Sequence, residues 1–290
     1  MIASRVPLEA FRASIGRGPH LQLALVDLAV LVATLCTDSF STWVGLVACR
    51  MRRPLPKVLA VRGAIYVLFL INYALGQGGF GFYLRRTGAT TQRAIGATLF
   101  LIGTNLATLL VLTTLALAIH GTSDDPRLWW TLLGCDLAFA IYLGVIALAP
   151  GLLARREVIA LLFDAGVRGH ALAILGRLPH VAVIVVGVWL AVRTWGIAVP
   201  FGIGMAITPI IVIASVLPIA PAGLGTTQAA LVYCFSSYAI GATADDRAAE
   251  VLAFGIVHLV YSVAASLAVG FACIPIARRA GVLAAPDRVA

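Results

Sequence analysis

Ionisable side chains within long apolar runs are the residues of this 290-residue chain best placed to do chemistry. Asp27 and Asp38 lie in the first apolar run, and Asp136 lies in a later one. His258 and Tyr261 share one face of the last run if that run is a helix. Charged groups in apolar helices are costly and often mark a transport path or a proton relay. Asp136, His258 and Tyr261 are therefore expected to form a polar lining, either as a proton relay or as plain interhelical hydrogen bonds.

Two apolar runs are interrupted by glycine and proline, at residues 76–81 and 218–225. A helix that restarts after such a break points its N-terminus, with about half a positive charge, at whatever lies there. We expect restarts near Gly81 and Thr226, with Thr226 or Thr227 as the cap of the second helix. Both tips together would attract an anion, and a lipid phosphate suits such a site. The alternative is that these glycines only allow close helix packing.

The candidate substrate-binding residues come from the two interruptions and their polar neighbours. They are Asn72, Gln77, Gly78, Gly79, Gly81, Arg85, Arg86, Pro218, Pro221, Gly223, Gly225, Thr226, Thr227 and Gln228. Arg85 and Arg86 directly follow the first interruption, so they either bind a phosphate bidentately or end a hairpin on the positive side of a membrane. We find no catalytic constellation, no metal-ligand spacing among the five cysteines and no cofactor motif.

The composition indicates a membrane protein. Hydrophobic residues make up 61% of the chain and charged residues only 11%, and 21 Lys and Arg against 12 Asp and Glu give a net charge of +9. This excess of apolar residues excludes an ordinary water-soluble enzyme, a disordered chain and a DNA-binding domain. The basic residues lie between apolar runs, as in membrane-protein loops that face anionic phospholipid. We predict an all-α, polytopic transmembrane helix bundle with no nucleic-acid partner.

Charge and length together predict the topology. The apolar runs cover residues 21–48, 63–83, 94–119, 128–149, 178–192, 197–218, 225–240 and 251–276. The basic segments 50–62 and 85–93 both belong inside, and the residues between them are too few for two full spans. We therefore predict a re-entrant hairpin there and a second broken hairpin, entering from the opposite side, over 197–240. Paired hairpins of this kind predict an inverted repeat.

The predicted organisation is a single transmembrane domain with short basic ends. A basic segment covers 1–20, the domain covers 21–276 with repeats at about 50–120 and 178–276, and a cytoplasmic tail covers 277–290. The first run is expected to be a retained span rather than a signal sequence, because no A-x-A-like cleavage site follows it. Residues 151–177 mix arginine with apolar residues, so they form either an interfacial helix or a connecting loop.

Two segments resemble the motifs of one family. Residues 221–228 (PAGLGTTQ) are similar to the Pro-Gly-Gly-Leu-Gly-x-x-Glu motif in the transmembrane region of lysylphosphatidylglycerol synthases. A wider flippase-like family of bacterial integral membrane proteins shares that region. An earlier family motif, Asn-x-x-x-Pro-Gly-Arg-x-Gly-Glu-x-x-Arg, aligns with residues 73–85 and matches at Gly78, Gly81 and Arg85.

The chain departs from both motifs at their acidic positions. Phe82 and Gln228 stand where the family has glutamate, and Gln77 and Gly79 stand at its proline and arginine. If those acids carry a proton or bind a cationic head group in relatives, this chain, which lacks them, cannot do so in the same way. The side chains at positions 77 and 228 are still polar, since both are glutamine, and this is compatible with a neutral, hydrogen-bonding cavity.

The resemblance implies a lipid translocase of the bacterial inner membrane with a cytoplasmic C-terminus. Its expected partners are a membrane lipid as substrate and anionic phospholipid around it, with homo-oligomerisation left open and no cofactor. Two alternatives stay open beside it. One is an intramembrane enzyme that acts on a lipid phosphate, and the other is an accessory subunit of a lipid or glycolipid pathway that transports nothing itself.

Overall fold

The computed structural model of the chain describes residues 7–120, 126–148, 157–216 and 225–281. Within these ranges the chain is helical and contains no strand, so the predicted all-α bundle is confirmed. A short 3-10 helix, Ser236–Tyr238, lies between the last two α-helices. The α-helices are α1 (Leu8–Arg17), α2 (His20–Ala48), α3 (Leu55–Ala64), α4 (Tyr66–Ile71), α5 (Tyr73–Arg86), α6 (Thr91–His120), α7 (Pro126–Leu148), α8 (Glu157–Thr194), α9 (Phe201–Val216), α10 (Thr226–Phe235) and α11 (Ala244–Arg279).

Among the described residues, five helices are long and apolar enough to cross a membrane, namely α2, α6, α7, α8 and α11. The hydrocarbon core of a bilayer is about 30 Å thick and needs about 20 apolar residues. The apolar part of α7, with 20 residues, is the shortest of the five. Helix α9 is apolar over Phe201–Ile213 but too short to cross alone. The chain is a multi-pass membrane protein, as its composition predicts.

Helices α3, α4 and α5 form a hairpin in the segment where the sequence predicts one. The predicted break at 76–81 is wrong, however, because α5 is helical throughout and no helix restarts near Gly81. The chain instead leaves helical geometry at Asn72, with φ −164° and ψ 142°. The Asn72 side chain accepts a hydrogen bond from the backbone N–H of Ala74 at 2.7 Å, which makes Asn72 the N-cap of α5. Each arm is shorter than the hydrocarbon core, but re-entry into the membrane stays a prediction.

The glycines of α5 allow α4 and α5 to pack closely. A Cβ atom on Gly76 would overlap the ring of Phe69, and one on Gly79 would lie 2.6 Å from Leu68 Cδ1. Gly78 between them faces open space. The first glycine-rich segment therefore serves helix packing, which is the alternative that the sequence left open.

The restart predicted near Thr226 is confirmed, because α10 begins at that residue. Its N-cap position is held by Gly225, whose φ of 88° is one that residues with side chains rarely adopt. The expected cap, Thr226 or Thr227, is thus wrong. The side-chain oxygen of Gln228 accepts a hydrogen bond from the Gly225 N–H at 2.6 Å and closes the first turn.

The middle of the second hairpin, residues 217–224, is not among the described residues. Pro218, Pro221 and Gly223 lie in it, so their predicted roles are outside what the structure describes. Helix α9 leads into this segment and α10 leads out of it. The form of this break and the inverted repeat stay predictions.

Helix α8 corrects the predicted course of residues 151–177. From Glu157 onward this segment is helical and breaks at Gly166, so a plain connecting loop is excluded there. The part after Gly166 continues into the long apolar helix, and its side chains His170 and Arg177 are buried inside the bundle. An interfacial position for the part before Gly166 stays a prediction. The arginines of this segment predict a loop or a membrane-surface helix, but arginine is a good helix former, and here Arg177 bonds inside the protein.

Helices α2 and α8 pack against each other in antiparallel directions. Ser41 of α2 also donates a hydrogen bond to the Gly176 carbonyl at 3.0 Å. Glycines let the two backbones approach closely, and this contact sets Arg177 beside α2. Three glycines of α8 meet α2 at successive levels, in the pairs Gly169–Ala48, Gly176–Val44 and Gly187–Val30.

We expect Gly79→Leu to destabilise the protein and Gly78→Leu to leave its stability nearly unchanged. The first side chain would overlap Leu68, and overpacking typically costs roughly 1–3 kcal/mol, whereas the second would enter open space. The apparent melting temperatures of the two purified variants in detergent measure the difference. Equal losses would contradict the described packing of α4 on α5.

Candidate functional site

A partly open cavity of about 160 Å³, lined mainly by buried side chains, lies within the helix bundle. Helices α2, α3, α4, α5, α6, α8 and α9 all contribute side chains to its wall. At about 30 Å³ for each water molecule of the liquid, the space suits a small polar group such as a phosphate. Most of the polar wall comes from α2, α5 and α8, while α9 contributes the apolar Val212.

Asp38 is the centre of charge in this cavity. Its side chain is only 3% exposed, and it lies four residues past the midpoint of the 29-residue α2. Arg62 donates from Nε and Nη2 to Asp38 Oδ2, both at 2.5 Å. The other carboxylate oxygen, Oδ1, lies 3.4 Å from Arg177 Nη1 and 3.7 Å from His180 Nε2. One buried carboxylate therefore holds side chains from α3 and α8 against α2.

Amide and phenol groups connect the two arginines to further helices. Arg62 Nη1 donates to Gln77 Oε1 at 3.4 Å, and Gln77 Nε2 donates to the Tyr73 hydroxyl at 2.8 Å. Arg177 Nη1 donates to Asn105 Oδ1 at 3.3 Å. The network thus extends from α2, α3 and α8 to α5 and α6.

Aromatic rings enclose the Arg62 side of the cavity. The Arg62 guanidinium lies 5.3 Å from the Phe69 ring centre and 5.5 Å from that of Phe80, within the range of cation–π contacts. Tyr66 also lines the cavity, and its buried hydroxyl has no hydrogen-bond partner among the described residues. An unpaired buried hydroxyl typically costs about 1–3 kcal/mol, which a ligand in the cavity would recover.

The charges of the cavity do not cancel. Arg62 and Arg177 are cationic and Asp38 is anionic, so the wall carries a net charge of +1 when His180 is neutral. An unbalanced charge at membrane depth is costly, and a bound monovalent anion would neutralise it. Guanidinium groups suit phosphate and carboxylate oxygens. The described part of the chain has no group of three or more His, Cys, Asp and Glu that could hold a metal ion.

Gln77 is the predicted site residue that lines this cavity. Asn72 instead caps α5, and Gly81 faces Thr98 of α6. Gln228 is buried elsewhere, where it closes the first turn of α10 and donates to the Gly255 carbonyl of α11 at 3.5 Å.

Arg85 and Arg86 do not belong to this cavity. Both lie in the last turn of α5, where Arg85 is exposed and Arg86 lies over the ring of Phe82 at 5.4 Å. Basic side chains at a helix C-terminus interact favourably with the helix dipole, which explains their position without a ligand.

The predicted lining of Asp136, His258 and Tyr261 is also divided in the structure. Thr114 of α6 donates to Asp136 Oδ2 at 2.9 Å, while His258 Nδ1 lies 2.9 Å from Asp27 Oδ1. Tyr261 bonds to the first residue of α2. Asp136 and His258 therefore have different partners on different helices, and the structure shows no direct relay between them.

The sequence analysis missed the arginines of the site. Arg62 ends the predicted inside segment 50–62 and Arg177 ends the segment 151–177, yet both side chains are only 5% exposed. One signal was available, because an aspartate such as Asp38 inside a span needs a cation nearby. A second was the spacing of Arg177 and His180, which places them on one face of a helix at the start of an apolar run.

Comparison of the chain with protein-family models gives no match, and comparison with curated proteins gives none either. The resemblance to the flippase-like family therefore stays an expectation based on the two motifs.

We expect Asp38→Asn to destabilise the protein by roughly 3–5 kcal/mol, because it leaves two buried arginines without a counter-charge. Asp136→Asn is the matched control, since Asp136 is only partly buried and its described partner is one threonine hydroxyl. Thermal unfolding in detergent measures both. The double variant Asp38→Asn/Arg62→Gln should lose less than the sum of its single variants, and additive losses would contradict the coupling.

Proposed function

We propose that this chain is a lipid translocase of the bacterial inner membrane that moves a lipid with an anionic, phosphate-bearing head group between leaflets. The observation that carries the proposal is the unbalanced positive charge of Arg62, Arg177 and Asp38, buried among membrane-spanning helices. A cavity of this kind provides the anion with the charge and hydrogen bonds that hydrocarbon lacks.

In this proposal the head group enters the cavity and the lipid tails stay in the bilayer. Arg177 is the principal phosphate ligand, because its described contacts use Nη1 alone, whereas Arg62 is engaged by Asp38 and Gln77. The unpaired hydroxyl of Tyr66 supplies a further donor. Two donors from different helices would fix the phosphate between α4 and α8.

The two hairpins are the proposed moving parts. Tyr66, Tyr73 and Gln77 of the first hairpin line the cavity, and Val212 of α9 brings the second hairpin to the same place. The first hairpin consists of short helices that meet at Ile65 and Asn72, and the backbone of Asn72 is extended there. Displacement of either hairpin would open the cavity toward one leaflet, as alternating access requires.

The positive-inside rule assigns the orientation in this proposal. Arg278 and Arg279 end α11, and basic residues beside a span are retained in the cytoplasm. The C-terminus is therefore expected to be cytoplasmic.

A second candidate function is an intramembrane enzyme that acts on a lipid phosphate. It is favoured by His180, whose Nε2 lies 3.7 Å from Asp38 Oδ1 in the arginine-lined cavity. A histidine oriented by a carboxylate is typical of a general base or nucleophile. The translocase is preferred because Asp38 is already engaged by both arginines, which leaves less of its charge to support an imidazolium.

We expect purified protein in liposomes to translocate fluorescent phosphatidylglycerol, and Arg177→Gln to slow this at least about tenfold, since it removes a buried partner of the anion. Arg193→Gln is the matched control, because Arg193 lies exposed in the last turn of the same helix. Dithionite quenching of the label in the outer leaflet gives the rate. Equal translocation rates for both variants would contradict the proposal that the cavity binds the head group.

The same preparation separates the alternatives. Release of inorganic phosphate from phosphatidate that is lost in His180→Gln would establish the enzyme. A purified protein that neither translocates lipid nor releases phosphate would be an accessory subunit. A rate that falls in Arg85→Gln but not in Arg177→Gln would move the head-group site to the end of α5.

A further inference from the structure

A second buried ionisable pair joins α2 to α11. Asp27 is almost fully buried, with 2% of its side chain exposed, and its Oδ1 lies 2.9 Å from His258 Nδ1. The other oxygen, Oδ2, is buried and has no hydrogen-bond partner among the described residues. The His258 side chain is 23% exposed, and its ring stacks on Phe254 at 5.3 Å.

The surroundings of this pair give Asp27 no other cationic partner among the described residues. His20 and Tyr261 bond each other at 2.9 Å, and Arg17 donates to its own helix at Ala13. The elements packed against the pair carry further titratable or charged groups. They include Glu250 in α11, Cys234 in α10, Arg193 in α8, Glu9 and Arg12 in α1, and Arg62 in α3, which is held by Asp38.

The pair has two states that differ by one proton. With Nδ1–H donating to Asp27, the Nε2 of neutral His258 makes no described hydrogen bond and is free to accept a proton. The pair then changes from a net charge of −1 to zero. Because a net charge inside a membrane helix bundle is costly, the pair has a physical reason to bind a proton.

We propose that Asp27 and His258 form the proton-binding site of a translocase that moves one proton together with its anionic lipid. This inference rests on the proposed function, since it names the ion that accompanies the head group. The proton and the anion together carry no net charge for a monovalent head group, so the loaded protein is neutral at both sites.

The two sites lie on one face of the same helix. Asp27 and Asp38 are 11 residues apart, which places them within about 20° around α2 and about 16 Å apart along it. At an effective dielectric constant of about 20, opposite charges at that distance strengthen each other's binding about fivefold. By linkage the effect is reciprocal, so the anion favours proton binding as much as the proton favours the anion.

The test is proton uptake on lipid binding. Protein in detergent and weakly buffered solution receives dihexanoyl-phosphatidylglycerol, a pH indicator reports protons, and a separate binding assay reports the probe. We expect wild-type protein to take up protons when it binds the probe. Asp27→Asn and His258→Gln should bind the probe with affinity reduced up to about fivefold and take up none.

His20→Gln is the matched control, because it removes a histidine between the same two helices that bonds a phenol instead of a carboxylate. It should keep the wild-type proton uptake, whereas loss of uptake in this control as well would overturn the assignment to His258. Binding of the probe by wild-type protein without proton uptake would overturn the inference and leave the proposed function standing. Absence of both probe binding and translocation would overturn the two together. Size-exclusion profiles check that each variant is folded.

Discussion

The carboxylate of Asp38 is the constraint on which the described bundle depends. It holds Arg62 of α3 and Arg177 of α8 next to each other inside a membrane protein, where two cations alone would repel and lose their hydration. The same group therefore fixes the base of the first hairpin to the α2–α8 pair. The close glycine contacts between α2 and α8 make this possible, because bulkier residues there would move Arg177 away from the carboxylate.

One carboxylate between two arginines leaves the cavity wall with a net charge of +1, and the proposed function is based on this imbalance. A purely structural network gains most when its charges cancel and its donors are satisfied. Here a tyrosine hydroxyl is unpaired and one charge remains. In the proposed function, guanidinium groups provide the anion attraction that the sequence predicts for helix N-termini.

The sequence predicted the helical class and the membrane setting, because these follow from apolar run length and charge placement, while the two re-entrant hairpins stay predictions. The sequence-based predictions are wrong where one residue type can serve two structural roles. Arginine marks loops in membrane proteins but also pairs with buried acids, so the sequence predicts Arg62 in a basic loop and Arg177 in a loop or an interfacial helix. Glycine breaks helices but also permits close packing. The glycines at Gly76 and Gly79 therefore predict a helix break there, whereas the structure has the break at Asn72. The cavity joins seven helices, and local spacing, which places Arg177 and His180 on one helix face, does not show which other helices meet there.

The kink at Gly166 divides α8 into two parts with different attachments. Its φ of 59° and ψ of −179° are accessible essentially to glycine alone, and its carbonyl bonds His170 Nδ1 at 2.7 Å. The earlier part carries Leu161 into the core beside α6, and the later part carries Arg177 to Asp38. A different φ or ψ at this residue alone would alter the tilt of the earlier part relative to the later part, which Arg177 holds to Asp38. Gly166 is therefore the point at which the two parts of α8 differ in direction.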